Sequence, residues 1–248
     1  MIVQAVVLAA PGTNRHNDVS DALRQAGADP VVVQLAELRA EPRRIAGARI
    51  VVVAGGFSFA DATGSGRLFA LELRDILRDA LDQHVATGGL VLGICNGFQV
   101  LVRLGLLPGA DAAATLAHNA NGRFECRWVS LVPPAETVCV WSRGLPEPIE
   151  CPVAHGEGRF VAPPDVLAAL ERNGQAALRY GGAGYPANPN GSMNDIAGVC
   201  DASGRVLGLM PHPENHIHPW QHPRSSRGEG RGLGRTLFSA GVNHAKEF

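Results

Sequence analysis

The sequence predicts an α/β fold with a mostly parallel central sheet, helices on both faces, and an antiparallel extension in the second half. Three observations carry this. The early strands are short, near-continuous runs of Val, Ile and Leu, the texture of strands buried on both faces. Those runs alternate with helical spacing up to residue 104 in the order β-α-β-β-α-β-α, an alternation that builds parallel sheets. After Leu106-Leu107-Pro108-Gly109 the segments become short and punctuated by proline, which fits antiparallel strands.

Residues 2–9 make a buried strand ended by the turn-forming cluster Ala10-Pro11-Gly12-Thr13-Asn14. Asp18 or Ser20 can cap the helix that follows, and Gly27 stops it. Residues 31–35 and 49–54 are the second and third strands, the third running into Gly55-Gly56-Phe57-Ser58-Phe59. The next helix places Leu68, Leu71, Leu73, Ile76, Leu77 and Leu81 on an apolar face and closes at Gly88-Gly89. Leu90-Val91-Leu92 begins the fourth strand. It leads through Gly93-Ile94-Cys95-Asn96-Gly97 into helical spacing from Phe98 to Leu104.

In the second half, residues 124–132, 137–142 and 149–155 read as strands, 166–172 as a brief helix and 177–180 as a further strand. Asn188-Pro189-Asn190-Gly191-Ser192 is a tight turn. Residues 196–200 and 206–210 read as a hairpin about Ser203-Gly204, and its second strand delivers Pro211-His212-Pro213-Glu214. Residues 215–232 form a loop rich in His, Pro and Arg, and a helix over 233–245 closes the chain. No repeat or long linker divides the sequence, so residues 1–248 are expected to form a single domain.

The 248 residues are 46% hydrophobic and 18% charged, with a formal net charge of -1. That balance speaks against a nucleic-acid or membrane-surface partner, and no apolar run approaches the length of a membrane span. The N-terminus lacks the basic start and cleavage site of a signal peptide, so a cytoplasmic protein is expected. Cysteines 95, 126, 139, 151 and 200 share no CxxC spacing and fit neither a disulfide framework nor a zinc site. Histidines 216, 218 and 222 are irregularly spaced in an Arg-rich loop, so no metal site is expected there.

Gly93-Ile94-Cys95-Asn96-Gly97 has the grammar of a nucleophile elbow, a reactive residue between small ones on a strained strand-to-helix turn. The following helix points its N-terminal dipole at the sulfur, which favours thiolate over thiol. Alone, the stretch also fits a buried structural cysteine. A nucleophile needs a base, and the base needs an orienting group. His212 and Glu214 meet that need, because residues two apart on an extended segment face the same side. Pro211 and Pro213 keep the segment out of a helix. Gly55-Gly56-Phe57 can turn backbone N–H groups towards the elbow and, with that of Asn96, form an oxyanion hole, although Gly-Gly by itself favours an ordinary βα turn. No Gly-Lys-Ser/Thr follows, so this is not a phosphate loop. His155-Gly156-Glu157-Gly158-Arg159-Phe160 fits a binding or docking loop and a solvated turn alike.

Together these motifs resemble the class I, triad-type glutamine amidotransferases. Within that class they are most similar to the PurQ-type amidotransferase subunits of phosphoribosylformylglycinamidine synthase. The resemblance rests on Pro11-Gly12-Thr13-Asn14, Gly55-Gly56-Phe57-Ser58-Phe59 and Gly93-Ile94-Cys95-Asn96-Gly97-Phe98-Gln99. It continues through Gly105-Leu106-Leu107-Pro108-Gly109, Ala154-His155-Gly156-Glu157-Gly158-Arg159-Phe160 and Asn188-Pro189-Asn190-Gly191-Ser192. Asp195-Ile196-Ala197-Gly198 and Gly208-Leu209-Met210-Pro211-His212-Pro213-Glu214 complete it, all in family order. Residues 60–66 depart from the Tyr-Gly-Asp-Tyr type of segment, Asn215 replaces a common arginine, and the tail from His216 is long. These departures bear on partner contacts rather than on the triad.

The resemblance implies a flavodoxin-like class I glutamine amidotransferase fold. It implies hydrolysis of glutamine to glutamate and ammonia through a thioester on Cys95, with His212 and Glu214 completing a catalytic triad. Gly55, Gly56, Phe57, Asn96, Gln99 and His155 are the implied oxyanion and glutamine contacts. Ammonia would pass to a PurL-type synthetase subunit, with a small PurS-type accessory subunit, for conversion of formylglycinamide ribonucleotide to formylglycinamidine ribonucleotide in de novo purine biosynthesis. ATP and Mg²⁺ would serve the synthetase, with no cofactor in this chain.

Overall fold

The apolar runs of the first half become one side of one large sheet, from an edge strand to its centre. A computed structural model describes residues 2–109 and 112–247. In chain order its first half contains β1 (Val3–Ala9), α1 (His16–Gln25), β2 (Ala28–Gln34), α2 (Leu35–Ala40), β3 (Ile50–Val53), α3 (Arg67–Ala86), β4 (Leu90–Ile94) and α4 (Asn96–Arg103). The second half adds β5 (Thr115–His118), β6 (Glu125–Val132), β7 (Ile149–His155), β8 (Glu157–Val161), α5 (Pro164–Arg172), β9 (Ala176–Tyr180), β10 (Ile196–Cys200), β11 (Val206–Leu209) and α6 (Arg235–Ala245).

Nine of these strands share a sheet in the order β2-β1-β3-β4-β11-β10-β9-β6-β7, and β5 pairs with β8 apart from it. β2, β1, β3, β4 and β11 run parallel, while β10, β9, β6 and β7 add antiparallel pairings. The connection β1-α1-β2 moves towards one edge and β3-α3-β4 towards the other. Right-handed crossovers therefore place α1 and α3 on opposite faces. α6 packs with α1, and α4 packs with α3. Residues 50–53 and 90–92 are wholly buried between these layers, each such side chain contributing about 1.5–3 kcal/mol.

Several local expectations shift. α1 begins at His16 without a side-chain cap. Asp18 instead pairs with Arg15, and the Ser20 hydroxyl donates to the His16 carbonyl. Leu35 opens α2 rather than ending the second strand, because Gln34 and Glu37 form a capping box. The buried stripe of α3 is Phe69, Ala70, Leu73, Leu77 and Leu81. Leu71 lies two positions from Leu73, on the far side of a helix, and is exposed. Residues 137–142 form turns instead of a strand. Val138 N–H donates to Gly174 O and Val140 N–H to Gly204 O, so this backbone is satisfied by neighbouring turns. β5 and β8 appear where no strands are expected.

The segment after Glu214 is held through side chains. The His216 and His222 rings pack edge-on against Trp128, at 5.0 and 4.8 Å between centroids. Among the described residues no group of three or more His, Cys, Asp or Glu is placed to hold a metal ion. Among them, too, no helix is long and apolar enough to cross a membrane.

Candidate active site

Cys95 stands at the carboxyl end of β4, between the ends of β3 and β11. Val53 lies beside Gly93 on one side and Gly208 beside it on the other. The cysteine has φ 52° and ψ -106°, a backbone region that non-glycine residues enter only at a cost of about 1–3 kcal/mol. The elbow is this sharp because α4 lies directly on the sheet. A Cβ on Gly97 would stand 1.9 Å from the Val53 carbonyl oxygen. Two backbone bonds lock the turn: Cys95 N–H donates to Leu209 O at 2.7 Å, and Gln99 N–H donates to Cys95 O at 3.1 Å. The sulfur lies 3.9 Å from the Ala154 carbonyl oxygen.

β11 runs parallel to β4, so the segment that follows it emerges beside the elbow. His212 Nδ1 lies 2.7 Å from Glu214 Oε1, and both side chains are almost wholly buried. With Nδ1 engaged, Nε2 is left for Cys95. Burial opposes the imidazolium, but the charges of Glu214 and Cys95 outweigh it and raise the His212 pKa from 6.5 to about 10. The edge strand β7 returns over this end of the sheet, where His212 N–H donates to Pro152 O at 2.8 Å. Gly55 leaves room for the pair, since a Cβ there would lie 3.0 Å from His212 Cε1 and 3.5 Å from Cys95 Cβ. Cys151 sits beside Glu214, and burial together with that carboxylate drives its thiol pKa well up.

The structure separates the residues expected near the oxyanion. Phe57 N–H donates to Gly12 O at 3.1 Å. Among the described residues no hydrogen bond occupies the N–H of Gly56 or of Asn96. Gly56 has φ 137°, and a Cβ there would lie 2.5 Å from Asn14 N. The Asn96 side chain is held on three sides. It accepts from the Ser58 hydroxyl and donates to Asp61 Oδ1 at 3.0 Å and Gln99 Oε1 at 3.2 Å. Gln99 in turn donates to the Glu157 carbonyl.

Cys95, Gly56, Phe57, Gln99 and His155 line one cavity of about 220 Å³, together with Asp61, Ser65, Phe124 and Glu157. That suits a molecule smaller than the occupants of the 300–1,000 Å³ clefts typical of drug-sized ligands. His155 is buried, and burial, followed by the charge of His212, lowers its pKa to about 3. Its tautomer follows from Asn119, whose amide donates to both Arg123 O and His155 O at 2.8 Å. Asn119 Oδ1 is therefore the acceptor 3.1 Å from His155 Nδ1, which must carry the proton. Nε2 keeps a lone pair, is buried, and has no partner among the described residues.

Asp61, Ser65, His118, Phe124 and Glu157 are the polar and aromatic lining residues that the motifs did not single out as site residues. Asp61 and Ser65 fall in the segment that departs from the family pattern. Glu157 belongs to the His-Gly-Glu-Gly segment, which is the end of β7, a bend at Gly156 and the start of β8. Glu157, flanked by Gly156 and Gly158, carried the available signal, whereas Asp61 stands between Ala60 and Ala62 and carried none.

Comparison with known proteins agrees with this geometry. Residues 3–245 match the family described as the CobB/CobQ-like glutamine amidotransferase domain. Phosphoribosylformylglycinamidine synthase subunit PurQ of Treponema denticola is 43% identical, over 97% of this chain and 98% of that protein. The protein of the same name from Dehalococcoides mccartyi is 40% identical, over 99% and 98%. A chain in the structure of PurLQS from Thermotoga maritima superposes with a TM-score of 0.76 at 31% identity, covering 98% of this chain and 99% of that one. The chain thus belongs to the CobB/CobQ-like glutamine amidotransferase family, among the PurQ subunits of phosphoribosylformylglycinamidine synthase.

Proposed function

We propose that this chain is the glutaminase subunit of phosphoribosylformylglycinamidine synthase, splitting glutamine into glutamate and ammonia at Cys95. The observation that carries the reading is the His212 imidazole, fixed by Glu214 Oε1 at 2.7 Å and set beside a cysteine on a strained elbow. The Cys95 thiolate attacks the γ-amide carbon. The developing oxyanion is taken by the N–H groups of Asn96 and Gly56, each such donor typically worth about 3 kcal/mol. His212 protonates the departing nitrogen, so ammonia leaves and a γ-glutamyl thioester remains. The same imidazole then takes a proton from water, whose oxygen attacks the thioester, and glutamate leaves as the thiol is restored. Gln99 and His155 contact the substrate from the cavity wall.

Ammonia released here serves a PurL-type synthetase, with a small PurS-type subunit in the assembly, to convert formylglycinamide ribonucleotide to formylglycinamidine ribonucleotide. ATP and Mg²⁺ belong to the synthetase in this scheme. The similarity to a chain of PurLQS supports the assembly. The test is Cys95→Ala in the assembled complex. Glutamine-dependent synthesis should vanish while synthesis from added ammonia continues at the wild-type rate. Loss of both activities with the complex intact would refute the division of labour.

A further inference from the structure

We propose that Asp61, with Glu157 beside it, receives the α-ammonium group of glutamine and so makes the site selective for the free amino acid over other primary amides. This rests on the reading that glutamine is hydrolysed at Cys95. The cavity holds two carboxylates, and no Lys or Arg is among its lining residues. Among the described residues the imidazole paired with Glu157 is that of His118, which also lines the cavity, is 3.9 Å away and is mostly exposed. Burial, together with the charge of Glu157, raises the Asp61 pKa, although hydrogen bonds from Ser65, Asn96 and Gly66 act the other way. A cation placed between the two carboxylates relieves this conflict, and a glutamine molecule brings one.

The placement matches the length of that substrate. Asp61 Oδ1 is fixed 3.0 Å from Asn96 Nδ2, on the residue next to the nucleophile. Four bonds, about 5 Å when extended, separate the γ-amide carbon of glutamine from its α-nitrogen. Cys95 and Asp61 line the same cavity of about 220 Å³, so a substrate held at Cys95 meets Asp61 within its walls. The chain also accepts backbone strain to hold the acid there. Phe59, Ala60 and Asp61 have φ of 53°, 55° and 52°, three consecutive non-glycine residues in the left-handed region. Strain of that kind persists where the surroundings over-determine it, most often at ligand sites.

The experiment compares glutamine with 4-carbamoylbutanoate, which is glutamine with hydrogen in place of the amino group, in the complex with synthetase. The wild type should favour glutamine by roughly 10²-fold or more in kcat/KM. Asp61→Asn should remove most of that preference through KM for glutamine, leaving kcat/KM for 4-carbamoylbutanoate unchanged or raised. Glu157→Gln should act the same way, more weakly, and serves if Asp61→Asn does not fold. The rate of Cys95 alkylation by iodoacetamide reports on the elbow and should be unaltered by either substitution. Equal loss on both substrates, or no loss on either, overturns the proposal. Wild-type complex inert towards glutamine would instead end the glutaminase reading, and this proposal with it.

Discussion

Glu214 touches His212 through one oxygen, and its second oxygen, Oε2, is buried without a partner among the described residues. In the proposed mechanism its work is to orient the ring and stabilise the imidazolium, whereas His212 itself moves protons. In comparable triads, losing the orienting acid costs roughly 10⁴-fold and losing the base roughly 10⁶-fold. Glu214→Gln should accordingly retain more glutamine-dependent kcat than His212→Ala. The amide supplies no charge, so the His212 pKa should fall from about 10 and the alkaline limb of the pH profile should move to lower pH. Measuring kcat of both variants across pH decides this, and equal inactivity at every pH would contradict the orienting role. The same pair affects stability. A folded-state pKa raised from 6.5 to about 10 means that the native state binds the proton more tightly than the unfolded chain. Its contribution is full below about 6.5 and is lost as pH rises through about 10. His155 works in the opposite sense: its pKa is lowered to about 3, so folding opposes its protonation and stability declines as pH falls below 6.5.

Among the elements, β4, its elbow and α4 form the unit on which the site depends. The contact that makes the elbow sharp is the approach of Gly97 to β3, and Gly97→Ala forces a methyl into the Val53 carbonyl. A cost of about 3 kcal/mol is expected, seen as a lower urea midpoint with an unchanged slope. An unchanged midpoint would mean that the elbow relaxes freely. The elements legible in the sequence were those whose signal is local. Residues 50–53, 90–94 and 196–200 are uniformly buried strands, so apolar runs announce them. The elbow cysteine and the His-Pro-Glu segment were legible because glycine and proline mark their turns. β5 was not, since only Leu116 of its four residues is buried. β8 alternates buried and half-buried residues between glycines and reads as a loop. Asp61 was hidden for a different reason: its position is set by a left-handed turn of ordinary residues, which no propensity favours. The binding of Phe57 N–H to Gly12 O likewise joins two turns that sequence spacing does not connect.

At the scale of the whole molecule, the cavity opens beside an unusual piece of surface. Phe57 and Phe124 line it, are 43% and 54% exposed, and stack with ring centroids 6.4 Å apart. Ammonia released into water is protonated and loses its nucleophilic lone pair, so a partner that consumes it should cover this mouth. The isolated chain should therefore be a slow glutaminase that the synthetase accelerates. Phe124→Ser should raise the synthetase concentration needed for half-maximal activity by about tenfold, or 1.4 kcal/mol. Titrating glutaminase rate against synthetase measures both effects, and full activity from the chain alone would count against them. The last strand of the parallel set carries one more consequence. Cys95 N–H is held by Leu209 O, and the imidazole proposed to activate the sulfur follows directly after that strand. A nascent chain on the ribosome that has passed residue 95 but not residue 206 has neither. The sulfur meets its proposed base only when synthesis is nearly complete, and a message cut short yields a fragment that lacks it.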